Sequence, residues 1–305
     1  MDMMTLLEKM FIFTVLMVIG YVLARRGVLG KDFTKAASSL VLNVFMCAAI
    51  LNSVLTVSIT LSWAELGRIF LVLCVMQLLG YVVAAVAVRL FPRRDPERQP
   101  CLELLMSMGN SMFIALPIVD GLLGPEAVFY VSLSCIPFNV LLYTYGVWRL
   151  KGAGSKLRIR DMLSVPLVVT LLSVLIFLLQ IPVPRILRGL ISATAGASMP
   201  MSMIVIGATL GSVSLLDAFR SGKLYAVSAV RLLLIPALTW AVCRFLTPDP
   251  TLLLTATIVA GCPSAVLVTV LSVQYGRDAV LTAEGTLQNT FLSMATIPLL
   301  VWLLS

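Results

Sequence analysis

The chain has 305 residues, 60% hydrophobic and only 12% charged, with a mean hydropathy of +1.06. A soluble protein carries about 25% charged residues, so this much apolar surface points to lipid as the solvent. The net charge of +8 sits in short basic clusters between apolar runs, which is the pattern of membrane-protein loops and not of a nucleic-acid-binding face.

The chain contains no histidine, which removes Ser-His-Asp and Cys-His catalysis, His-ligated metals and histidine proton relays together. Six cysteines lie in or beside apolar runs without C-x-x-C spacing, so neither a zinc site nor a disulfide framework is expected. There is no phosphate-binding glycine loop to couple ATP. No catalytic residue, metal or cofactor is expected, and the chain does not read as an enzyme.

A helix crossing the hydrocarbon needs about 20 residues. Ten segments fit: roughly 4–24, 33–55, 64–88, 101–122, 125–148, 162–181, 187–212, 223–246, 251–273 and 278–303. The first leads into Arg25-Arg26 without a small-residue cleavage site and reads as a retained helix. The odd-numbered connections hold sixteen Lys and Arg residues against three in the even ones. By the positive-inside rule the odd connections are cytoplasmic and both termini face the non-cytoplasmic side.

Two segments are interrupted. In segment four, Gly109 and Asn110 disfavour helix and Pro117 removes a backbone donor. Segment nine repeats the pattern at Gly261, Cys262 and Pro263, and Pro200 marks a further break in segment seven. Freed backbone groups in lipid must be satisfied inside protein or a wet cavity, so such breaks are costly unless they build something. A shift of 152 residues lays Gly124-Pro125-Glu126-Ala127-Val128 on Gly276-Arg277-Asp278-Ala279-Val280 and Asn110 on Cys262. Each half holds five segments, so the second enters the membrane inverted. The predicted fold is an all-α polytopic membrane protein: ten transmembrane helices as two inverted five-helix repeats, with broken helices four and nine. The repeats are 1–150 and 162–305, joined by a basic cytoplasmic linker at 151–161. Inverted repeats with discontinuous helices are the architecture of secondary transporters, with the site at the midplane.

The residues at these breaks also resemble a known family. Gly109-Asn110-Ser111-Met112-Phe113-Ile114-Ala115-Leu116-Pro117 is similar to the G-N-x-x-F-x-G-x-P signature of auxin efflux carrier family transporters. Gly261-Cys262-Pro263-Ser264-Ala265-Val266, continuing to Gln274-Tyr275-Gly276, resembles that family's ninth segment, and Ala197-Ser198-Met199-Pro200 through Gly207-Ala208-Thr209-Leu210 its seventh. Two departures are Cys47-Ala48 where the family has a proline, and Ala115 in place of a glycine.

The resemblance, to the malonate- or malate-permease-like bacterial branch, implies segments four and nine crossing near the midplane of a bacterial cytoplasmic (inner) membrane. It implies elevator-like alternating access, a small organic anion such as a carboxylate as cargo, and a homodimer. An asparagine at the crossing and another 29 residues later hold the carboxylate in the plant branch; Asn110 and Asn139 match those positions. A channel or membrane-embedded sensor on the same fold is the alternative.

Asn110, Asn139, Gly109, Ser111, Cys262, Pro263 and Ser264 are therefore the candidate substrate-binding residues. Asn110 also reads as a cap for the broken backbone, and Asn139 as glue between helices. Ionisable and amide groups inside a membrane are functional candidates by default. Glu284, Gln288 and Asn289 in segment ten are placed for a coupling ion, H+ or Na+, and Arg231 in segment eight as a counter-ion to substrate or a paired structural residue. Asp120, near the end of segment four, reads as interfacial, and Glu103, near its start, carries little weight.

Overall fold

The computed structural model describes residues 3–56, 62–91, 98–151, 165–211 and 215–304. Apart from Lys151, the predicted linker at 151–161 lies outside them. The described residues are helical and form no strand; their one isolated β-bridge joins Gly109 to Ser264.

In chain order the helices are α1 (Met3–Arg25), α2 (Lys31–Leu40), α3 (Met46–Thr56), α4 (Trp63–Ala87), α5 (Gln99–Ser107), α6 (Leu116–Leu123), α7 (Pro125–Leu141) and α8 (Val147–Lys151). They continue as α9 (Val165–Leu178), α10 (Arg185–Ala195), α11 (Ser198–Gly211), α12 (Leu215–Arg220), α13 (Gly222–Ala229), α14 (Ile235–Cys243), α15 (Pro250–Gly261), α16 (Val266–Gln274) and α17 (Ala279–Leu304). Several run on through short irregular turns. Among the described residues six stretches are thus long and apolar enough to cross a membrane: Asp32–Thr56, Trp63–Leu90, Pro125–Lys151, Arg185–Ala208, Gly222–Cys243 and Ala279–Leu304. Shorter apolar helices at Phe11–Arg25, Ser111–Leu123, Val165–Leu178 and Pro250–Gly261 fall in the other four predicted segments.

Widened π-turns occupy Val41–Phe45, Ser111–Ala115, Leu142–Gly146 and Val230–Leu234. The second and the last stand immediately before helices with proline in the first turn, Pro117 in α6 and Pro236 in α14. A proline offers no N–H to the carbonyl four residues back, and the chain takes up the lost bond by widening. Pro200 lies in the first turn of α11, where a missing N–H costs little; the interruption itself falls at Gly196–Ala197.

The chain forms two compact units. One comprises Met1–Gly67, Met112–Ile136 and Leu163–Ser212, the other Arg68–Ser111, Pro137–Met162 and Val213–Ser305. Each predicted repeat contributes to both.

In the first unit α1 packs along α11 backbone to backbone. A Cβ on Gly207 would strike the carbonyl of Met17, one on Gly20 the carbonyl of Ile204, and one on Gly211 the Cβ of Ala24. Gly207 and Gly211 are one turn apart, the small-x-x-x-small spacing that lets helices approach closely in lipid, where packing rather than water drives association. Ala37, Val41, Met46 and Val205 make a buried core beside this contact, and Phe129 packs on Phe177 at 5.2 Å between ring centroids.

In the second unit α5 is buried from Pro100 to its last residue, and α15 from Thr255 onward. Apolar side chains from α4, α13 and α16, including Tyr81, Leu224, Val227 and Val268, cluster with Leu104 and Leu105 of α5. Both helices end abruptly inside this core.

The glycine contact in the first unit is testable. Gly207→Ala should destabilise the protein by about 1–3 kcal/mol through overpacking, read as a lower unfolding midpoint in detergent. Gly189→Ala, at a position with nothing within 4 Å, should leave the midpoint level or slightly raised.

Candidate functional site

α5 leaves helical geometry at Met108 (φ −99°, ψ 105°) and α15 at Cys262 (φ −67°, ψ 148°). The two extended stretches lie antiparallel and pair. The amide of Asn110 donates to the Pro263 carbonyl at 2.8 Å, and that of Ala265 to the Met108 carbonyl at 2.9 Å. The chain re-enters helix at Ser111 and at Val266. Each break thus supplies partners for the other, as buried backbone requires.

The last carbonyls of the two half-helices need donors as well. They converge on Arg231, which is 3% exposed and projects from the π-turn Val230–Leu234. Its Nε donates to the Cys262 carbonyl at 2.8 Å, Nη1 to those of Met106 and Ser107 at 3.2 Å each, and Nη2 to that of Val259 at 3.4 Å. Among the described residues no carboxylate pairs with it. Each helix C-terminus carries about half a negative unit charge, so two of them roughly balance one guanidinium. Arginine suits the place because its planar fork offers five donors in fixed directions. It also dictates Gly109: a Cβ there would run into Nη2.

Ser264 ties in a further helix. Its hydroxyl donates to the Leu105 carbonyl at 2.5 Å and accepts from Asn289 Nδ2 on α17 at 2.5 Å. Gln288, the residue before, accepts through Oε1 from the Ser228 hydroxyl at 3.2 Å. Both amides are fully buried, yet Asn289 Oδ1 and Gln288 Nε2 have no partner, and neither have the hydroxyls of Ser107 and Ser111. Ser107, Ser111, Gln77, Gly109 and Arg231 line a cavity of about 10 Å³ beside the crossing, room for about one water.

The predicted site residues distribute as follows. Gly109, Ser111, Cys262, Pro263, Ser264 and Arg231 meet at the crossing, and Asn289 reaches it through Ser264. Asn110 is buried there with its main-chain amide committed to Pro263. Asn139, also buried, lies near the end of α7, in the same compact unit as Asn110. Glu284 is half-buried one turn before Gln288. Gly261 closes α15, whereas Pro117 sits beyond the break, in the first turn of α6.

Sequence reasoning gave no weight to a second polar cluster. Glu103, 1% exposed, accepts hydrogen bonds from Arg149, one of them from Nε at 2.8 Å, and from the hydroxyl of Tyr145. Tyr145 and Arg149 lie four residues apart on one helical face, a spacing that was visible in the sequence. Also missed were Gln77 and Ser107 on the cavity wall, since a lone glutamine or serine in an apolar run carries no signal of its own.

A largely apolar, helical chain with interrupted helices joined through their broken backbones belongs among multi-pass membrane transport proteins. The family model described as membrane transport protein matches residues 5–165 and 153–302, and the chain belongs to that family, the auxin efflux carriers. A curated relative, an uncharacterized transporter of Methanothermobacter thermautotrophicus, is 26% identical over 295 residues, spanning 93% of this chain and 94% of the relative.

Replacing Arg231 tests the clamp. Arg231→Leu strips a donor from four carbonyls, of which that of Val259 keeps the Cys262 amide; each one left orphaned costs about 1–3 kcal/mol, so the unfolding midpoint in detergent should fall steeply. Arg231→Lys keeps the charge but not the fork and should fall between the two. A leucine variant as stable as the native chain would overturn the assignment.

Proposed function

We propose that the protein is a secondary active transporter of a small organic anion, a carboxylate, bound at the crossing of segments four and nine. The observation that carries this reading is the electrostatic balance at the crossing. Arg231 offsets the negative ends of both half-helices, while Val266 opens a helix with no acidic residue in its first turn. The balance therefore tips toward positive, which suits an anion. The unpartnered hydroxyls of Ser107 and Ser111 and the side chains of Asn110 and Asn139 supply polar contacts for it. A Na+ ion is less at home beside a guanidinium, so the coupling ion, H+ or Na+, belongs further along α17, toward Gln288 and Glu284.

Transport requires that the site be reached from each side in turn. In this reading the chain is a ten-span inverted repeat with both termini outside the cytoplasm of a bacterial inner membrane, working as a homodimer. The division into two compact units is what an elevator-like mechanism needs, one unit carrying the site and the other acting as scaffold. The cavity at the crossing has room for about one water, so a carboxylate enters only if neighbouring helices part. That requirement couples binding to motion.

Proteoliposome uptake of mono- and dicarboxylates tests the proposal. Saturable, trans-stimulated flux is expected, cut at least tenfold in Asn110→Ala and Asn139→Ala; normal flux in both variants would remove them from the site. Single-channel currents in place of saturable exchange would favour the channel alternative. A thermal-shift screen of the same acids with and without sodium reads the coupling ion, because a ligand of the native state raises the unfolding midpoint by mass action.

A further inference from the structure

A second polar recess in the chain lies apart from the crossing. The 3-10 turn Val88–Leu90 that ends α4, the start of α5 and the stretch from Tyr145 to Arg149 enclose a cleft of about 330 Å³. This is the low end of the range for small-molecule sites. Its lining includes Arg89, Gln99, Glu103, Tyr145, Trp148 and Arg149. We propose that this cleft binds the phosphodiester headgroup of an anionic membrane phospholipid.

The charge fits a single phosphodiester. Glu103 engages Arg149 and so fixes the direction of its guanidinium. Arg89 is exposed and has no hydrogen bond or ion pair among the described residues, so the three side chains leave one net positive charge. The first turn of α5 opens at Gln99, on the same wall, and adds the positive end of a helix of nine residues.

The surroundings favour a lipid over a free phosphate. Leu71, Leu78, Val82, Val86 and Leu90 recur at seven- and four-residue intervals along α4 and its end, all at least half exposed. They form one apolar stripe that runs up to Arg89, the track an acyl chain would follow from a headgroup held in the cleft. Trp148, 44% exposed, supplies the amphipathic ring that membrane proteins place at headgroup depth. Arg98, Lys151 and Arg277 are close to this end of the unit in chain and contacts: Arg98 pairs with Asp278, Lys151 lies over the Tyr275 ring, and Arg277 bonds the Leu150 carbonyl. In the charge asymmetry of the loops this is the cytoplasmic side, where anionic lipids are recognised by such basic recesses.

The test uses the purified full-length chain in detergent, with bound lipid counted by native mass spectrometry. Phosphatidylglycerol should be retained over phosphatidylcholine, and Arg89→Gln should cut that preference about fivefold, as one arginine near an anionic headgroup is worth. Arg185→Gln, at an exposed arginine elsewhere, should leave the preference intact. Among the described residues Arg89 has no partner, so the variant should unfold at the native temperature in phosphatidylcholine, separating lost binding from lost folding. Equal retention of the two lipids, an unchanged Arg89→Gln, or an equal loss in Arg185→Gln would overturn the site. Displacement of bound phosphatidylglycerol by millimolar glycerol 1-phosphate would overturn the lipid assignment in favour of a soluble phosphate.

Discussion

The second compact unit depends on one buried cation. Two helices stop inside an apolar core, and a helix that stops leaves its last carbonyls without donors. In water such ends are hydrated, but here the remedy has to come from protein. Arg231 donates to four carbonyls drawn from both helices and places its charge where two dipoles point their negative ends. Desolvating a guanidinium costs several kcal/mol, which a single carbonyl would not offset. Four carbonyls in the fork's own geometry do, and the crossing and the arginine therefore stand or fall together.

The other details of the crossing follow from that constraint. Gly109 is glycine because the guanidinium passes where a side chain would begin. The extended residues pair with each other because the arginine satisfies helix ends, not strand edges. Ser264 satisfies a further carbonyl of α5, that of Leu105, and through Asn289 it anchors the crossing to α17. Around the crossing, two serine hydroxyls and one atom of each of two amides remain without a partner among the described residues.

Much of this was legible in the sequence. Apolar runs of bilayer length located the helices, and glycine, asparagine and proline inside two of those runs located the interruptions, because such residues are costly mid-helix. What the sequence concealed was pairing. Nothing in Val230-Arg231-Leu232 says that the arginine would meet backbone carbonyls in place of a carboxylate, since a carbonyl has no letter of its own. Pro200 and Pro117 misled slightly for a related reason: a proline marks the neighbourhood of a break, while the break itself falls where the backbone finds other partners. Glu103, Tyr145 and Arg149 escaped attention because two of them sit 42 and 46 residues from the first, and only folding brings them together.

The separation of the two breaks along the chain bears on how the protein is made. Ser107 finds its arginine 124 residues later, and the Leu105 carbonyl finds Ser264 at a distance of 159. The terminal carbonyls of the first interrupted helix therefore leave the ribosome long before their donors exist. Until the second half is inserted, its exposed carbonyls need water or the insertion machinery, because lipid offers no donor. Closing such long loops is slow, and the half-made chain is exposed to misassembly meanwhile. The crossing inside the finished unit is accordingly among the last contacts to form, and the chain is committed to its fold only once nearly all of it has been made.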